Sequence, residues 1–263
     1  MKKISLLITL FFFLSGIIAE VRASHAAGGE IIYEWVSGST YRVTFKFYRD
    51  CVGIPAPTSQ IVCAYNTCTN TNLLNTNGHN YAYPPQYYPG TNVPNGSPVS
   101  VGCPGYPTVC NGGTLPGYEE WWYVCEFNLP SQCSNWTFYT SISARNAQID
   151  NLGPTPNGLN LFIYATLNNL VAQGNNSAVF TVKPVPYTCV NMPFTYNNGA
   201  IDPDGDSLAF EFVYPSDGPA SVCTNPATTP IIFAPTSGTN LFNNVNNPFP
   251  PTVPLRSILR QGR

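Results

Sequence analysis

Residues 28–51 decide the fold, and they run Gly28-Gly-Glu-Ile-Ile-Tyr-Glu-Trp-Val-Ser-Gly-Ser-Thr-Tyr-Arg-Val-Thr-Phe-Lys-Phe-Tyr-Arg-Asp-Cys51. Two runs rich in Ile, Val, Tyr, Trp, Phe and Thr flank Ser37-Gly38-Ser39. β-Branched and aromatic residues favour strands, and Gly38 can take the positive φ that a tight hairpin turn requires. The stretch therefore predicts a β-hairpin at the start of an all-β protein.

The first 23 residues have the features of a secretory signal peptide. Lys2 and Lys3 form a positive start, Ile4 to Ile18 is an apolar run, and Val21-Arg22-Ala23 offers small residues to a signal peptidase. The apolar run is shorter than the roughly 20 residues of a spanning helix; a retained N-terminal anchor is the alternative. We expect a mature chain that starts near Ser24, has no transmembrane segment, and is secreted to the extracellular space or the cell surface.

Composition supports an exported β protein. Only 9% of residues are charged, while 13% are aromatic, and the chain holds 26 prolines and 21 glycines. These many turn formers, together with the absence of long amphipathic helical periodicity, favour an all-β fold. Beyond residue 23 there remain 8 basic and 12 acidic residues, so the chain lacks the basic surface that nucleic-acid binding requires. We expect no nucleic-acid partner.

All nine cysteines lie beyond the expected cleavage site. Oxidising compartments favour disulfides over metal sites or free thiols, and the cysteine spacings match no zinc ribbon or finger. Those spacings are Cys63-x4-Cys68, Cys103-x6-Cys110 and Cys125-x7-Cys133. If pairing stays within domains, Cys189 pairs with Cys223, and one of the seven earlier cysteines is left over. Cys103 and Cys110 are candidates for bridges among those seven, whose pairing the sequence leaves open.

Residues 24–170 are expected to form an N-terminal β-sandwich. The strand-like runs 118–127, 136–144 and 159–166 would supply the strands that follow the hairpin. Between the hairpin and the first of these runs, residues 53–118 form a Cys/Pro/Tyr-rich insertion with few regular strands, which is too long for an ordinary connection. Its four cysteines indicate that disulfides staple it to the domain.

Residues 171–263 are expected to form an Ig-like or cadherin-like β module. An Ig-like module needs about 100 residues and seven strands, whereas 87 residues remain from Ser177 to Arg263. The stretch 255–263 is abruptly basic and lacks the alternation of a closing strand. We therefore expect an incomplete module, as in a truncated reading frame. The predicted class is an all-β, disulfide-stapled β-sandwich followed by an incomplete Ig-like or cadherin-like β module.

The best candidate for a ligand-binding surface is the segment Tyr81-Ala-Tyr-Pro-Pro-Gln-Tyr-Tyr88. Tyrosine rings stack on flat ligands such as sugar faces and give contact area at low entropic cost. The candidate binding residues are Tyr81, Tyr83, Tyr87 and Tyr88. The alternative is a proline-rich loop whose rings pack on their own domain, and this alternative is favoured because tyrosine is commonly half-buried.

A single candidate metal site lies at Asp202-Pro-Asp-Gly-Asp206, where three carboxylates occupy alternate positions. Crowded carboxylates suit calcium, which binds oxygen ligands in flexible geometry. The candidate ligands are Asp202, Asp204 and Asp206. The pattern is not an EF-hand loop, because Ser207 stands where that loop needs glycine. A metal-free turn is an equal alternative, since Asp and Gly favour turns without any ion.

The sequence offers no catalytic constellation. Past the signal peptide the only histidines are His25 and His79, and neither is placed to complete a nucleophilic triad. Glu119 and Glu120 could be imagined as a glycosidase pair, but adjacent strand residues point to opposite faces. We expect a solvated strand edge there, and no enzyme.

An ordered series of motifs runs through the chain: Gly28-Gly-Glu-Ile-Ile-Tyr-Glu-Trp35, Tyr48-Arg-Asp-Cys51, Cys110-Asn-Gly-Gly-Thr-Leu-Pro-Gly117, Leu129-Pro130, Cys133-Ser-Asn-Trp136, Arg145-Asn146, Ile163-Tyr-Ala-Thr-Leu-Asn168 and Asp202-Pro-Asp-Gly-Asp-Ser-Leu208. This series resembles the N-terminal region of large secreted surface proteins of Bacteroidetes. Proteins of that kind carry Ig-like, PKD-like or cadherin-like modules and a gliding-motility-associated sorting domain. The resemblance implies an adhesive or structural role and no catalytic residues. The chain departs from the pattern at Ser143-Ala144, where the family carries paired cysteines, and it shows no sorting domain.

These features predict a secreted, non-catalytic cell-surface adhesion protein or extracellular structural protein. Its expected partner is an extracellular protein, a matrix or a glycan, and calcium is the only cofactor that the sequence suggests. The alternative function is a carbohydrate-binding module of a secreted polysaccharide-degrading protein, which the tyrosine segment would serve.

Overall fold

A computed structural model describes residues 26–100, 105–143, 145–146, 149, 152, 156–184, 197, 199–211, 213–218 and 223–232. The regular structure in these ranges consists of strands and short 3-10 turns, which confirms the all-β prediction. None of the helical turns in these ranges is long and apolar enough to cross a bilayer. The predicted signal peptide, Cys103, Cys189 and the basic stretch 255–263 lie outside the described residues.

Fourteen strands are found in the described ranges. Numbered in chain order they are β1 (Ala26–Ser37), β2 (Thr40–Asp50), β3 (Gln60–Ile61), β4 (Cys63–Asn66), β5 (Thr71–Leu73), β6 (Tyr81–Ala82), β7 (Ser97–Pro98), β8 (Tyr118–Asn128), β9 (Trp136–Ile142), β10 (Leu161–Leu167), β11 (Val179–Phe180), β12 (Ala200–Ile201), β13 (Ser216–Asp217) and β14 (Thr229–Pro230). The strands β1, β2, β8, β9 and β10 are the long ones, and they coincide with the runs rich in β-branched and aromatic residues.

The first sheet has the order β1-β2-β8-β7, and all its neighbours are antiparallel. The hairpin β1–β2 is present as predicted, with Gly38 at φ 53° in its turn. The second sheet has the order β10-β9-β4-β5, again antiparallel throughout.

The two four-stranded sheets pack face to face around one core. Every second residue of β2 points into it, and Tyr41, Val43, Phe45 and Phe47 are each at most 1% exposed. From the second sheet, the ring of Phe138 packs against two rings of the first sheet, Tyr33 at 5.6 Å and Phe127 at 5.9 Å between centroids. Burial of each such side chain stabilises the fold by about 1.5–3 kcal/mol. The β-sandwich is therefore the framework on which the loops are mounted.

The predicted insertion, residues 53–118, is more regular than the sequence suggested. It contains β3 to β7, and β4 lies inside the second sheet between β9 and β5. All four residues of β4 are buried. The run Cys63-Ala-Tyr-Asn66 is short and mixed in polarity, so it lacks the periodicity that reveals a strand in sequence.

Three disulfides join described residues: Cys51–Cys110, Cys63–Cys223 and Cys68–Cys133. Cys110 and Cys223 are thus confirmed as disulfide cysteines. The predicted pairing of Cys189 with Cys223 is wrong, because Cys223 bonds to Cys63, which lies 160 residues earlier. The assumption that failed is that bridges stay within one predicted domain, since Cys63 and Cys223 lie on opposite sides of the expected boundary at residue 170. Cys125 is free and buried in the sandwich core.

The described residues after 171 contact the sandwich at several points. Along the edge strand β1, Ser177 N donates to Tyr33 O at 2.9 Å, and Tyr33 N donates to Ser177 Oγ at 2.9 Å. On the other sheet, Asn160 N donates to Asp217 Oδ1 at 2.9 Å. The strands found in this stretch, β11–β12 and β13–β14, are two-residue pairs. The Ig-like module and the boundary at residue 170 stay predictions.

Candidate binding surface beside the tyrosine segment

The tyrosine segment is held by strand β3 and by strand β8 of the first sheet. Strand β6 pairs with β3, which places Tyr81 opposite Ile61 and Ala82 opposite Gln60. The next residue, Tyr83, forms a bridge to β8, where Val124 N donates to Tyr83 O at 3.0 Å. Because side chains alternate along an extended chain, the fully buried Ala82 leaves its two tyrosine neighbours facing outward.

Three of the four predicted tyrosines present their rings to solvent. Tyr81 is 45% exposed, Tyr83 is 50% exposed and Tyr87 is 44% exposed. The imidazole of His79 lies 5.8 Å from the ring of Tyr81 and 5.8 Å from the ring of Tyr83. We call His79, Tyr81 and Tyr83 the aromatic patch. Tyr87 belongs to a separate turn, in which it bridges to Pro94.

A buried asparagine, Asn75, fixes the aromatic patch. Its Nδ2 donates to Tyr81 O at 2.9 Å and lies 3.3 Å from His79 Nδ1. Tyr81 N also donates to His79 Nδ1, at 3.1 Å. Both groups that face His79 Nδ1 are N–H donors, so this nitrogen is the acceptor and the neutral ring carries its proton on Nε2. Asn75 could not be predicted from the sequence, since a lone asparagine in a loop gives no signal of its role.

Tyr88 is not part of the exposed surface. It is 5% exposed, its hydroxyl donates to Glu120 O at 2.7 Å, and its ring lies 5.0 Å from the ring of Trp122. Burial raises the pKa of the Tyr88 phenol to about 12, and the negative charge of Glu120 is the second cause of this rise. The prediction of Tyr88 as a ligand-binding residue is thereby corrected. The alternative reading, a ring packed on its own domain, applies to Tyr88.

The two adjacent glutamates of β8 have different partners. Glu119 forms an ion pair with Arg49, with 2.7 Å between Oε2 and Nη1. Glu120 is 2% exposed, accepts from Trp122 Nε1 at 2.9 Å, and forms an ion pair with Lys183. The expected solvated strand edge is therefore wrong for Glu120, because at this position β8 is paired on both sides, with Tyr48 of β2 and with Ser97 of β7. Each carboxylate is neutralised by a cation, which is how buried charges are tolerated.

A second buried ion pair, between Lys46 and Glu30, lies on the face of the first sheet that also carries Glu120. Lys46 Nζ is 2.6 Å from Glu30 Oε1, and their side chains are 5% and 11% exposed. The ammonium also lies over the ring of Trp122, 4.8 Å from its centroid, where the ring quadrupole attracts a cation. This charged layer is balanced internally and offers no unpaired carboxylate to a substrate.

A cavity of about 320 Å³ opens beside Tyr81. Its walls are the end of β2, the segment 54–59, β3, Tyr81 and residues 141–143 at the end of β9. The segment 54–59 is tied down from both sides: Tyr123 OH donates to Pro57 O at 2.7 Å, and Arg49 Nε donates to Ile54 O. The disulfide Cys51–Cys110 anchors the chain just before this segment. The cavity is thus preformed rather than assembled by a ligand.

The aspartate turn forms its own hydrogen-bond network. Asp202 Oδ1 accepts from Asp204 N at 2.9 Å and from Asp206 N at 3.3 Å. Asp204 accepts from Asn176, at 2.6 Å from the backbone N and at 2.8 Å from Nδ2. In the part of the chain that the structure describes, no three His, Cys, Asp or Glu side chains are grouped so as to hold a metal ion. Calcium binding at this turn stays a prediction.

Comparison of the chain with protein-family models, with curated proteins and with solved structures gives no match. The aromatic patch and the cavity beside it are therefore the features of this chain from which a function can be inferred.

Proposed function

We propose that this chain is a secreted, non-catalytic adhesion protein that binds an extracellular partner through the aromatic patch. The observation that carries this proposal is the exposure of Tyr81 and Tyr83, at 45% and 50%, on a loop fixed by the buried Asn75. Exposed aromatic rings on a rigid support are typical of binding surfaces, because they contribute contact area without losing much conformational entropy.

The location of the protein outside the cytoplasm is supported by its cysteine chemistry. Six cysteines form three disulfides that join distant parts of the chain, and such bridges form and persist in oxidising compartments. The N-terminal sequence, with its two lysines, apolar run and small-residue site, supports export by the secretory route.

The partners of the glutamates and of His79 support the non-catalytic part of this proposal. Glu30, Glu119 and Glu120 are each paired with a lysine or an arginine. His79 has its Nδ1 engaged by two N–H donors. A general base needs a lone pair that can reach substrate, and on His79 the remaining nitrogen carries the proton.

The test is an attachment assay with the purified mature chain coupled to beads. We expect the beads to bind to the surface of the producing cells or to their extracellular matrix, and the double variant Tyr81→Ser/Tyr83→Ser to lose most of this attachment. The matched control is Tyr164→Ser, because Tyr164 lies on β10 and is 56% exposed. Attachment that survives in the double variant, or that falls equally in Tyr164→Ser, would contradict the proposal.

A carbohydrate-binding module of a polysaccharide-degrading protein is the second candidate function. The cavity beside Tyr81 favours it, since such modules pair a ring with a pocket that receives a sugar. The attachment assay separates the two functions: a module for polysaccharide degradation would bind insoluble polysaccharide but would not hold beads to cells of its own kind.

A further inference from the structure

We propose that the cavity beside Tyr81 binds the end of a neutral saccharide chain, with Tyr81 stacking on the sugar at its mouth. This inference rests on the proposed binding role of the aromatic patch and names the class of ligand. It follows from the charge, the free hydrogen-bonding groups and the size of the cavity.

The cavity offers no free cation to an anionic ligand. Arg49 is the charged residue among the described lining residues, and its side chain is 12% exposed. Its guanidinium donates to Glu119 Oε2 at 2.7 Å, to Gly53 O at 2.7 Å and to Ile54 O. Because the charge is balanced by Glu119 and three of the five N–H donors of the guanidinium are occupied, a carboxylate or phosphate would be desolvated there with little electrostatic compensation.

The remaining polar groups of the cavity are neutral. Gln60 Nε2 donates to Thr140 Oγ1 at 2.9 Å and to Ser141 O at 3.3 Å, which leaves its Oε1 as an acceptor without a partner among the described residues. The hydroxyl of Ser59, which also lines the cavity, has no hydrogen-bond partner among those residues. A sugar hydroxyl both donates and accepts, so it can satisfy the Gln60 oxygen and the Ser59 hydroxyl together.

The cavity walls also carry apolar surface, which can contact the apolar face of a sugar ring. Phe47, Ile54, Pro57 and Ile142 contribute hydrocarbon to the cavity walls. Tyr81 lines the cavity and is 45% exposed, so its ring is shared between the cavity and the outer surface. The ring of His79 lies 5.8 Å from that of Tyr81 and 5.8 Å from that of Tyr83, so in this proposal the rest of the aromatic patch contacts the sugars that follow.

The volume of about 320 Å³ limits how much of the ligand enters. Small-molecule pockets span about 300 to 1,000 Å³, so this one lies at the lower end of the range. It suits a terminal sugar rather than an internal stretch of a polysaccharide. The rest of the chain must then lie over Tyr81 and Tyr83.

Calorimetric titration with defined trisaccharides tests the inference. The probes are cellotriose, xylotriose, mannotriose, maltotriose and tri-N-acetylchitotriose, with trigalacturonate as the anionic comparison. We expect saturable binding of at least one neutral probe, weaker binding of trigalacturonate, and a loss of at least tenfold in affinity for Tyr81→Ala. Tyr164→Ala is the control and should bind like the parent protein.

Two variants block the cavity without removing a core contact. Ser59→Phe places a ring into the cavity, and Ile54→Trp enlarges an exposed wall residue that is 43% exposed. Both should abolish binding of the neutral probe while the melting temperature of the exposed-wall variant stays at the parent value. Because Ile54 is at the surface, this second variant keeps the test valid should the first one fail to fold.

The outcomes distinguish this inference from the proposed function. Cell attachment that depends on Tyr81 and Tyr83, with no neutral probe bound or with binding untouched by Ile54→Trp, overturns the saccharide inference and leaves the adhesive function standing. Preferential binding of trigalacturonate overturns the inference as well. Binding of a neutral probe without any cell attachment supports the inference and overturns the adhesive function.

Discussion

Cys63 and Cys223 are disulfide-bonded, with their Cα atoms 5.4 Å apart, although 160 residues separate them in sequence. The bond ties the described residues 223–232 to β4, a strand inside the second sheet. Two hydrogen bonds beside the bridge hold the same residues to the second sheet: Tyr139 OH donates to Thr224 O, and Asn72 Nδ2 donates to Cys223 O. This part of the chain is thus fastened to the outer face of the sandwich.

The stabilising effect of this bridge should depend on the length of the loop that it closes. A disulfide constrains the unfolded chain, typically by about 2–4 kcal/mol, with a logarithmic dependence on loop length. We expect the double variant Cys63→Ser/Cys223→Ser to lower the free energy of unfolding by that amount in urea titrations. The matched comparison is Cys51→Ser/Cys110→Ser, whose bridge spans 59 residues. Its loss should be smaller by about 1 kcal/mol on loop length alone.

Non-reducing peptide mapping of the parent protein provides the direct check. The peptide that contains Cys223 should be linked to the peptide that contains Cys63. A peptide pair that links Cys223 to Cys189 would contradict the structure and would restore the pairing expected from the sequence.

The thiol of Cys125 should be inert in the folded protein. It is 6% exposed, and burial, together with the charge of Glu126, raises its pKa to about 12. At pH 8 the folded protein therefore holds the group as a thiol, which is not the nucleophilic form. We expect iodoacetamide to leave Cys125 unmodified in the native protein and to alkylate it after unfolding in guanidinium chloride, as read by mass spectrometry of the corresponding peptide. If the native protein were alkylated at Cys125 as fast as the protein in guanidinium chloride, the burial of this thiol would be contradicted.

The sequence was sufficient for the parts of the fold that rest on regular alternation. The hairpin of residues 28–51 and the strands at 118–127 and 136–144 have long runs of β-branched and aromatic residues, and the structure contains strands at all three places. The buried strand β4 escaped, because four residues of mixed polarity carry no readable period. Its place in the sheet is determined by its pairing with β9, which is a tertiary contact.

Part of the candidate site was also predictable from alternation along the sequence. The alternation Tyr81-Ala82-Tyr83 indicates two rings on one face, and both rings are exposed. Tyr88 has the same residue type in the same segment, yet its ring packs on Trp122. Tyr88 differs because its partners, Glu120 and Trp122, lie more than 30 positions further along the chain, and a single sequence does not contain that pairing. The cavity walls come from four separate segments, and apart from Tyr81 these residues had no sequence signal.

Alkaline pH should destabilise the protein through its buried tyrosines. Tyr88 has a pKa of about 12 in the folded protein, whereas an unfolded tyrosine ionises near a pH of about 10. Between these values the unfolded state binds fewer protons than the folded state, so the free energy of unfolding falls as pH rises, and the contribution is complete only below about pH 10. We expect Tyr88→Phe to make this decline shallower. Near neutral pH the same variant should cost about 1 kcal/mol, because the hydrogen bond to Glu120 O is lost.

Tyr139 provides a second case for the same measurement. Burial raises its pKa to about 12, so Tyr139→Phe should also reduce the dependence of stability on pH between about pH 10 and 12. Urea titrations at several pH values give the slope for each variant. A slope that is unchanged in both variants would show that neither phenol is held protonated by the fold.

The aspartate turn distinguishes a structural hydrogen-bond network from a calcium site. Asp204 accepts two hydrogen bonds from Asn176, and this contact does not need an ion. We therefore expect Asp204→Ala to lower the melting temperature in EDTA, because it removes both hydrogen bonds. Asn176→Ala should lower it as well, because it removes the Nδ2 bond to Asp204 and the bond from Trp35 N to Asn176 Oδ1, while the backbone bond to Asp204 remains. If the turn also binds calcium through Asp202, Asp204 and Asp206, the parent protein should gain about 1.4 kcal/mol at a calcium concentration of ten times the dissociation constant.

Asp206→Asn separates these two contributions. The Asp206 backbone N, not its carboxylate, donates to Asp202 Oδ1, so the substitution removes a charged ligand from the predicted calcium site and keeps the hydrogen bond that closes the turn. A gain in melting temperature with millimolar calcium that is present in the parent protein and lost in Asp206→Asn establishes the ion site. Equal melting temperatures in calcium and in EDTA for both proteins, together with a loss in Asp204→Ala, leave the hydrogen-bonded turn as the complete account of these three carboxylates.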